Sequence, residues 1–287
     1  MNIQWYPGHM AKTRKMIREN IALVDIVIEL LDARIPISSQ NPDIDRLVVG
    51  KNRIVVLNKA DLADNAANRK WKAYFEKQGA VVVLTDSNSG TGVLAIADAA
   101  RLLMAEKIER LKQRGRIFVP IRAIIVGIPN VGKSTLINRL VKKNVTQTAD
   151  RPGVTRGKQW IKLYKDFELL DTPGILWPKF DNPEAGIYLA FTGAIKETIT
   201  DQTTLAWRLV QFFMEKGIGN LLEKRYNIKI EDASCESVLE MIGKSRGYLL
   251  KEGKVNVERT AIHVIDEFRE GKIGKITLES PAEPENP

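Results

Sequence analysis

The stretch from Arg122 to Thr135 constrains the fold more than any other part of the sequence. It reads RAIIVGIPNVGKST, so a short β-branched run ends in a glycine-rich loop, and a helix-forming segment continues to Val141. This strand–loop–helix context is the one that the phosphate-binding pattern G-x-x-x-x-G-K-S/T requires. The pattern predicts backbone N–H groups that curl around an anion at the positive end of a helix. A glycine-rich turn that matches by chance is the alternative, and the flanking strand and helix argue against it.

The same loop predicts side chains for nucleotide chemistry. Lys133 is expected to supply a cation to the β- and γ-phosphates and is assigned a catalytic role. The Ser134 hydroxyl is the expected Mg²⁺ ligand. The other nucleotide-binding residues predicted here are Asn130, Val131, Gly132 and Thr135.

A second motif, Asp171-Thr-Pro-Gly174, follows the loop and ends a predicted strand. An Asp in this position can hold Mg²⁺ through water, and the Gly174 N–H can reach a γ-phosphate. Alone, such a tetrapeptide is more often an ordinary turn. Downstream of a phosphate-binding loop, it is interpreted as a nucleotide-sensing switch with Asp171 as a metal ligand.

A third motif, Asn58-Lys59-Ala60-Asp61, lies at the end of another predicted strand, and all four residues are predicted to bind the nucleotide base. The Asp61 carboxylate can accept two hydrogen bonds from guanine, and adenine offers no such pair of donors. A buried carboxylate facing adenine would be left unsatisfied, so discrimination is strong. The Asn58 side chain is expected to tie this loop to the phosphate-binding loop, and the Lys59 stem to lie along the base.

Strands alternate with helices up to about residue 180, which predicts an α/β fold with a parallel-rich sheet. From about residue 201 only amphipathic helical segments follow, and they predict an all-α domain. Asp32-Ala-Arg34 is interpreted as a strand-end turn with an internal Asp–Arg pair, and a functional surface is the alternative.

Composition and charge limit the kinds of partner and of metal site that the chain can have. The formal charge is +9, from 44 Lys and Arg against 35 Asp and Glu, and the pI is about 9.5, so either a polyanionic partner or a solubility surplus explains it. One cysteine and two histidines argue against a disulfide within the chain and against a structural zinc site. Without a membrane-length apolar run or a signal peptide, we expect a soluble, cytoplasmic protein. We also expect a monomer.

The base-reading motif precedes the phosphate-binding loop, and this order points to a family. With the start Trp5-Tyr6-Pro7-Gly8-His9-Met10 and the turn Asp32–Pro36, the whole chain resembles the circularly permuted Ras-type (TRAFAC) GTPases of the YlqF/YawG family. The resemblance implies binding of GTP and GDP with Mg²⁺, and GTP hydrolysis coupled to late assembly of the large (50S) ribosomal subunit. It also implies that nucleotide state controls docking to the pre-ribosomal particle, whose rRNA the helical domain touches.

With the resemblance, the chain divides into four predicted parts. A permuted GTPase domain spans residues 1–180 and carries an N-terminal helical extension at 1–20, and a connector spans 181–200. A helical, ribosome-contacting domain spans 201–276. Residues 277–287 are rich in Pro and Glu and are expected to be a disordered tail.

The resemblance also assigns roles outside the three motifs. Thr155 is the expected switch threonine, both catalytic and a Mg²⁺ ligand, and a bare turn at this place is the alternative. Asp86 and Ser87 are expected to offer backbone N–H groups to the guanine O6 atom. Asn130 is hypothesised to help hold a K⁺ ion beside the phosphates, and simple loop hydrogen bonding is the alternative.

One feature departs from the Ras-type pattern. The catalytic Gln after the switch glycine is absent, and Ile175 and Leu176 stand there instead. We hypothesise that His9 positions the attacking water as a catalytic residue, and a structural histidine is the alternative. An ATP-using P-loop kinase, and an rRNA-binding scaffold that holds GTP with little turnover, are the rival functions.

Overall fold

The structure is a computed structural model that describes residues 15–142, 159–172, 174, 182–195, 201–231 and 233–281. The chain forms two compact units. One, the sheet unit, contains the described residues between Tyr6 and Lys179 and those from Thr277 onward, and the other, the helical unit, contains the described residues between Phe180 and Ile276. Along the sequence, the helical segment is therefore inserted into the sheet unit and is joined to it at both ends.

The sheet of the first unit has six described strands. They are β1 (Ile26–Asp32), β2 (Asn52–Asn58), β3 (Val81–Thr85), β4 (Ile121–Gly127), β5 (Gln159–Tyr164) and β6 (Phe167–Asp171). The spatial order is β3-β2-β1-β4-β6-β5, and every pair is parallel except the β5–β6 hairpin. The predicted α/β fold with a parallel-rich sheet is confirmed.

Helices cover this sheet, as its strand composition requires. They are α1 (Pro42–Leu47), α2 (Asn65–Lys77), α3 (Ala95–Gln113) and α4 (Lys133–Lys142), and residues 15–20 are also helical. All seven residues of β1 are buried, as expected for a parallel strand covered on both faces. On one face, Trp71 and Phe75 of α2 pack in a buried cluster with apolar side chains of β1, β2 and β3. Burying side chains of this size contributes roughly 1.5–3 kcal/mol each.

The register of the sheet brings several strand ends together. Asp32 lies opposite Asn58, which lies opposite Thr85, and Leu30 of β1 lies opposite Gly127. The motifs that follow β1, β2, β3 and β4 therefore leave the sheet at one edge. In an open parallel sheet this carboxyl edge is where ligands bind.

The helical unit contains five described helices. They are α5 (Pro183–Phe191), α6 (Gln202–Glu215), α7 (Asn220–Tyr226), α8 (Cys235–Ser245) and α9 (Val257–Arg269). Helices α6, α8 and α9 pack around a buried core that includes Leu209, Leu239 and Val264. The predicted all-α part is confirmed for the described residues, and α5 lies within the predicted connector at 181–200. Across the described part of the chain, no helix is both long enough and apolar enough to cross a membrane.

The first residues after 276 differ from the expected disordered tail. The backbone N–H of Leu278 donates to the carbonyl of Arg34 at 2.8 Å, and Leu278 is 4% exposed. The Glu279 carboxylate accepts hydrogen bonds from the backbone N–H groups of Ile37 and Ser38, at 2.8 and 3.0 Å. The composition of the tail does not reveal that Leu278 packs at a buried position. Residues 282–287 lie outside the described ranges.

Candidate nucleotide-binding site

Asn58 joins three segments at the carboxyl edge of the sheet. Its Nδ2 atom donates to the carbonyl of Val131 at 2.8 Å, which links the end of β2 to the glycine-rich loop. Its Oδ1 atom accepts from the hydroxyls of Thr85 and Ser87, at 3.0 and 2.7 Å, and from the Ser87 N–H. The contact expected between the base-reading loop and the phosphate-binding loop is present.

The glycine-rich loop needs its second glycine for two reasons. Gly132 has a φ of +103°, which L side chains rarely adopt, and an added Cβ atom would lie 2.4 Å from Nδ2 of Asn58. Within the same loop, Asn130 also has a positive φ of 57°. The close approach of Asn58 and Gly132 is therefore possible only without a side chain at position 132.

Lys59 crosses from the base-reading loop to the phosphate-binding loop. Its Nζ atom donates to the carbonyl of Asn130 at 2.9 Å and to Oδ2 of Asp32 at 2.9 Å. Arg34 binds the same carboxylate through Nε at 2.9 Å and Nη2 at 2.8 Å, so the predicted internal Asp–Arg pair is confirmed. Burial alone would raise the pKa of Asp32, but Arg34 and Lys59 hold this pKa well below its ordinary value.

The remaining residues of the base-reading loop continue the same edge. The backbone N–H of Ala60 donates to the carbonyl of Thr85 at 3.1 Å, which keeps the loop against the end of β3. Asn68 of α2 donates to the carbonyl of Ala60 at 3.0 Å. Asp61 is partly exposed and follows directly, so its carboxylate lies on a loop that is fixed at several points.

Helix α4, which begins at the phosphate-binding loop, holds the loop after β3 in place. Ser87 is buried, and Asp86 pairs with Thr91 in a tight turn. Arg139 of α4 donates through Nε to the carbonyl of Ser87 at 3.2 Å and through Nη2 to the carbonyl of Asn88. Asn88 and Arg139 also line a cavity of about 290 Å³ beside Thr135 and Asn138 of α4. Asp86 and Ser87 are thus brought to the edge that carries the other two motifs.

Lys133 lies at the centre of the phosphate-binding loop. It is 9% exposed, and its Nζ atom donates to the carbonyls of Gly127 and Ile128 at 3.2 and 3.3 Å. Burial lowers the pKa of Lys133 to about 8, and the negative charge of Asp171 opposes that shift. Asp171 at the end of β6 is also 9% exposed. A buried cation and a buried carboxylate are therefore neighbours at this edge.

The segment after β6 lies against the same loop. The Thr172 hydroxyl donates to the carbonyl of Ile125 at 2.6 Å, which fixes the end of β6 beside β4. An added Cβ atom at Gly174 would lie 2.8 Å from the Pro129 nitrogen and 3.0 Å from Nζ of Lys133. Gly174 is thus in close contact with the phosphate-binding loop.

Oxygen donors of the type that Mg²⁺ prefers are present. Ser134 is exposed at the first turn of α4 with Thr135 beside it, and the Asp171 carboxylate ends the neighbouring strand. A hydroxyl and a carboxylate are the protein ligands that Mg²⁺ takes together with substrate phosphates. The donor chemistry of Ser134 and Asp171 therefore fits the predicted metal.

Two of the predicted residues, His9 and Thr155, lie outside the described residues. Sequence reasoning also missed two contributors. Arg139 was not singled out because a basic residue on a helix is usually solvated, and only the fold brings it to the carbonyls of Ser87 and Asn88. Asp32 was recognised as the partner of Arg34 but not of Lys59, which is 27 residues away in the chain.

Comparisons with known proteins agree with this geometry. A family model described as "50S ribosome-binding GTPase" matches residues 122–240. Ribosome biogenesis GTPase A of Bacillus cereus is 48% identical over 99% of this chain and 95% of its own length. The protein of that name from Thermotoga maritima is 32% identical over 97% of this chain and 95% of its own length.

Two solved structures also match this chain. The GDP-bound structure of Thermotoga maritima YlqF has a TM-score of 0.67 and 28% identity, and the match covers 93% of this chain and 100% of that one. The GNP-bound YlqF structure has a TM-score of 0.62 and 27% identity, over 94% of this chain and 99% of that one. Both solved chains carry a guanine nucleotide, and the curated relatives match this chain over nearly its whole length. The chain belongs to the ribosome biogenesis GTPase A (YlqF) family, a family of circularly permuted enzymes that hydrolyse GTP.

Proposed function

We propose that this GTP hydrolase acts in late assembly of the large ribosomal subunit, and that its nucleotide state controls docking to the precursor particle. The main observation behind the proposal is that two motifs distant in sequence are hydrogen-bonded to each other. Asn58 and Lys59 of the base-reading loop both donate to carbonyls of the phosphate-binding loop. The relatives named ribosome biogenesis GTPase A support the biological setting. The positive charge of the chain supports an RNA-containing partner.

The base-reading loop selects guanine. Asp61 accepts hydrogen bonds from the N1–H and exocyclic amine of the base, and the Lys59 stem lies along its plane. Asp86 and Ser87 present backbone N–H groups to the O6 atom. Because Asn58 and Arg139 fix these segments in advance, little ordering remains to be done when the nucleotide binds.

The phosphate side of the site relies on positioning and charge. The loop from Asn130 to Thr135 wraps the phosphates with backbone N–H groups, and Lys133 faces the β- and γ-phosphates. Ser134, Thr155 and Asp171 would hold Mg²⁺, which when bound neutralises charge on the phosphates. The Gly174 N–H donates to the γ-phosphate, so its segment distinguishes GTP from GDP.

His9 is proposed to orient the attacking water, because Ile175 and Leu176 offer no polar group. Replacing His9 by Ala should lower turnover on ribosomal particles and leave GTP affinity unchanged. Wild-type turnover of this variant on its particle would end the catalytic role.

Asn130 is proposed to help hold K⁺ beside the phosphates. Hydrolysis rates measured in K⁺ and in Na⁺ buffers at equal ionic strength should then differ, with K⁺ faster. Equal rates in the two buffers would remove the cation role and leave loop hydrogen bonding.

The docking proposal is tested by co-sedimentation. Large-subunit particles are mixed with the protein and a non-hydrolysable GTP analogue, GDP or no nucleotide. Binding should be strongest with the GTP analogue and weak with GDP. Equal co-sedimentation in all three conditions would contradict nucleotide-controlled docking.

The second candidate function is an rRNA-binding scaffold that holds GTP with little turnover. The residues after Gly174 favour it, because they lack the Ras-type Gln. Single-turnover hydrolysis, measured with and without large-subunit particles, separates the two. Stimulation by the particles supports the enzyme, and a rate that stays near that of free GTP supports the scaffold.

A further inference from the structure

The turn after β1 connects two parts of the molecule that are far apart in sequence. Asp32 begins this turn, and its carboxylate binds Lys59 of the base-reading loop. Within the turn, the Asp32 N–H donates to the Ser39 hydroxyl at 3.0 Å, and the Ser39 N–H donates to the carbonyl of Ile35 at 2.8 Å. Residues 32–39 are therefore one hydrogen-bonded piece, which we call the β1 turn.

The far side of the β1 turn is held by residues 277–279, which we call the C-terminal strap. The Leu278 N–H donates to the carbonyl of Arg34 at 2.8 Å, and Glu279 accepts from the N–H groups of Ile37 and Ser38. The strap is also anchored on α2, where the Trp71 indole N–H donates to the carbonyl of Glu279 at 3.3 Å. The β1 turn is thus clamped between the strap and the base-reading loop.

Lys59 depends on this clamp for its conformation. Its φ is 59°, in the left-handed region that non-glycine residues enter only when their surroundings hold them. Its Nζ atom is held by two acceptors, Asp32 Oδ2 and the Asn130 carbonyl, each at 2.9 Å. Of these two, only Asp32 carries a charge, and Asp32 is 1% exposed. A charge-assisted contact in such a site is the stronger of the two.

We propose that Asp32 is a positioning residue of the guanine site, that it acts by orienting Lys59, and that the C-terminal strap sets its position. The inference rests on the proposed guanine site and goes beyond it. It makes nucleotide affinity depend on the segment that leads directly out of the helical unit. A force or a partner that loosens the strap would then weaken GDP binding without touching the nucleotide.

Asp32 could instead serve only the stability of the fold, and a double-mutant cycle separates the two roles. GDP affinity is measured by titration for the wild type, Asp32→Asn, Lys59→Met and the double variant. Asp32→Asn should weaken GDP binding about tenfold and leave kcat at saturating GTP within about twofold. The double variant should bind no more weakly than Lys59→Met alone. The proposal would be overturned if the affinity losses of the two single variants multiply in the double variant. It would also be overturned if Asp32→Asn binds GDP as tightly as the wild type.

A second cycle avoids the risk that Asp32→Asn, which removes a buried charge beside Arg34, does not fold. Glu279→Ala removes the carboxylate that holds the β1 turn but keeps the charges of the buried Asp32–Arg34 pair. We expect GDP affinity three- to tenfold weaker than wild type, and no further loss when Glu279→Ala is combined with Lys59→Met. Lys275→Ala, an exposed change just before the strap, is the matched control and should bind GDP as the wild type does. Wild-type affinity in Glu279→Ala would overturn the role of the strap.

Two outcomes distinguish a wrong function from a wrong role for Asp32. If the wild-type protein does not bind GDP, the proposed function itself is wrong. If the wild type binds GDP and the variants at Asp32 and Glu279 bind it equally well, only the positioning role is lost.

Discussion

Single residues decide whether the two halves of the nucleotide site can meet. Asn58 fills the space between β2, the loop after β3 and the phosphate-binding loop, and it uses both ends of its amide to do so. The opposing residue is Gly132, where even one carbon atom would collide with the amide. The joint is therefore sensitive to changes that look conservative in sequence.

Gly132→Ala should disrupt this joint. The new methyl group would lie 2.4 Å from Nδ2 of Asn58 on a backbone with φ of +103°. We expect GDP affinity to fall by more than tenfold in a titration. Gly79→Ala is the control, because Gly79 also has a positive φ, +83°, but has no atom within 4 Å of an added Cβ. Equal GDP affinity in the two variants would contradict the account of the joint.

Glu29 gives the sheet unit a pH-dependent stability. Burial raises the pKa of Glu29 to about 7, against the opposing charge of Arg53. Because the folded pKa is above the unfolded value of 4.5, Glu29 contributes stability that is present below pH 4.5 and lost as the pH rises to 7. Between these values the wild type should lose about 3 kcal/mol relative to Glu29→Gln, at roughly 1.4 kcal/mol per pKa unit. Urea unfolding from pH 4.5 to 7.5 measures this, and parallel curves would contradict it.

Among the elements, helix α4 contributes residues to the proposed site from both of its ends. Its first turn carries Ser134 and Thr135 of the phosphate-binding loop, and its second half carries Arg139, which grips the loop after β3. One helix thereby couples the phosphate side of the site to the base side. This arrangement explains how segments from opposite halves of the chain keep a fixed spacing.

Arg139→Ala should therefore loosen the base side of the site alone. We expect guanine nucleotide affinity to fall several-fold, since two loop carbonyls lose their donor, with little change in the free energy of unfolding. Arg110→Ala on α3 removes an equally charged but exposed side chain and should leave affinity unchanged. The result that would count against this role is equal GDP affinity in both variants.

Sequence reasoning predicts those elements that depend on residues adjacent to one another in the chain. The strand, loop and helix at 122–141 follow from residue types next to one another, and so do the two strand-end motifs. The contacts of Arg139, of Lys59 with Asp32, and of the strap with the β1 turn depend on which strands become neighbours. A composition rich in Pro and Glu predicts a disordered tail, and it cannot reveal that Leu278 lies at a buried position.

At the scale of the whole molecule, the inserted helical unit has its own core and its own buried charge cluster. Glu267 of α9 is 3% exposed and accepts hydrogen bonds from Arg225, with His263 3.3 Å away. Burial opposes its ionisation, but the bonds from Arg225 help to lower the pKa of Glu267 to about 2. The two compact units should therefore respond separately to perturbation.

Calorimetric unfolding tests this independence. GDP should raise only the transition of the sheet unit, because the described residues of the proposed nucleotide site lie in that unit. Glu267→Gln should lower the other transition by more than about 5 °C, since it removes the charge that Arg225 faces. Glu240→Gln, an exposed change on α8, is the control. A single transition that shifts with both GDP and Glu267→Gln would contradict separate units.

A base-reading loop met early in the chain and a phosphate-binding loop met later are proposed to form one guanine site. Calorimetric titration of the wild-type protein with GTP and with ATP, in the presence of Mg²⁺, tests it most directly. We expect one GTP site and an ATP affinity at least about a hundredfold weaker, because adenine would leave the Asp61 carboxylate unsatisfied. Equal affinity for the two nucleotides, or binding of neither, would contradict it.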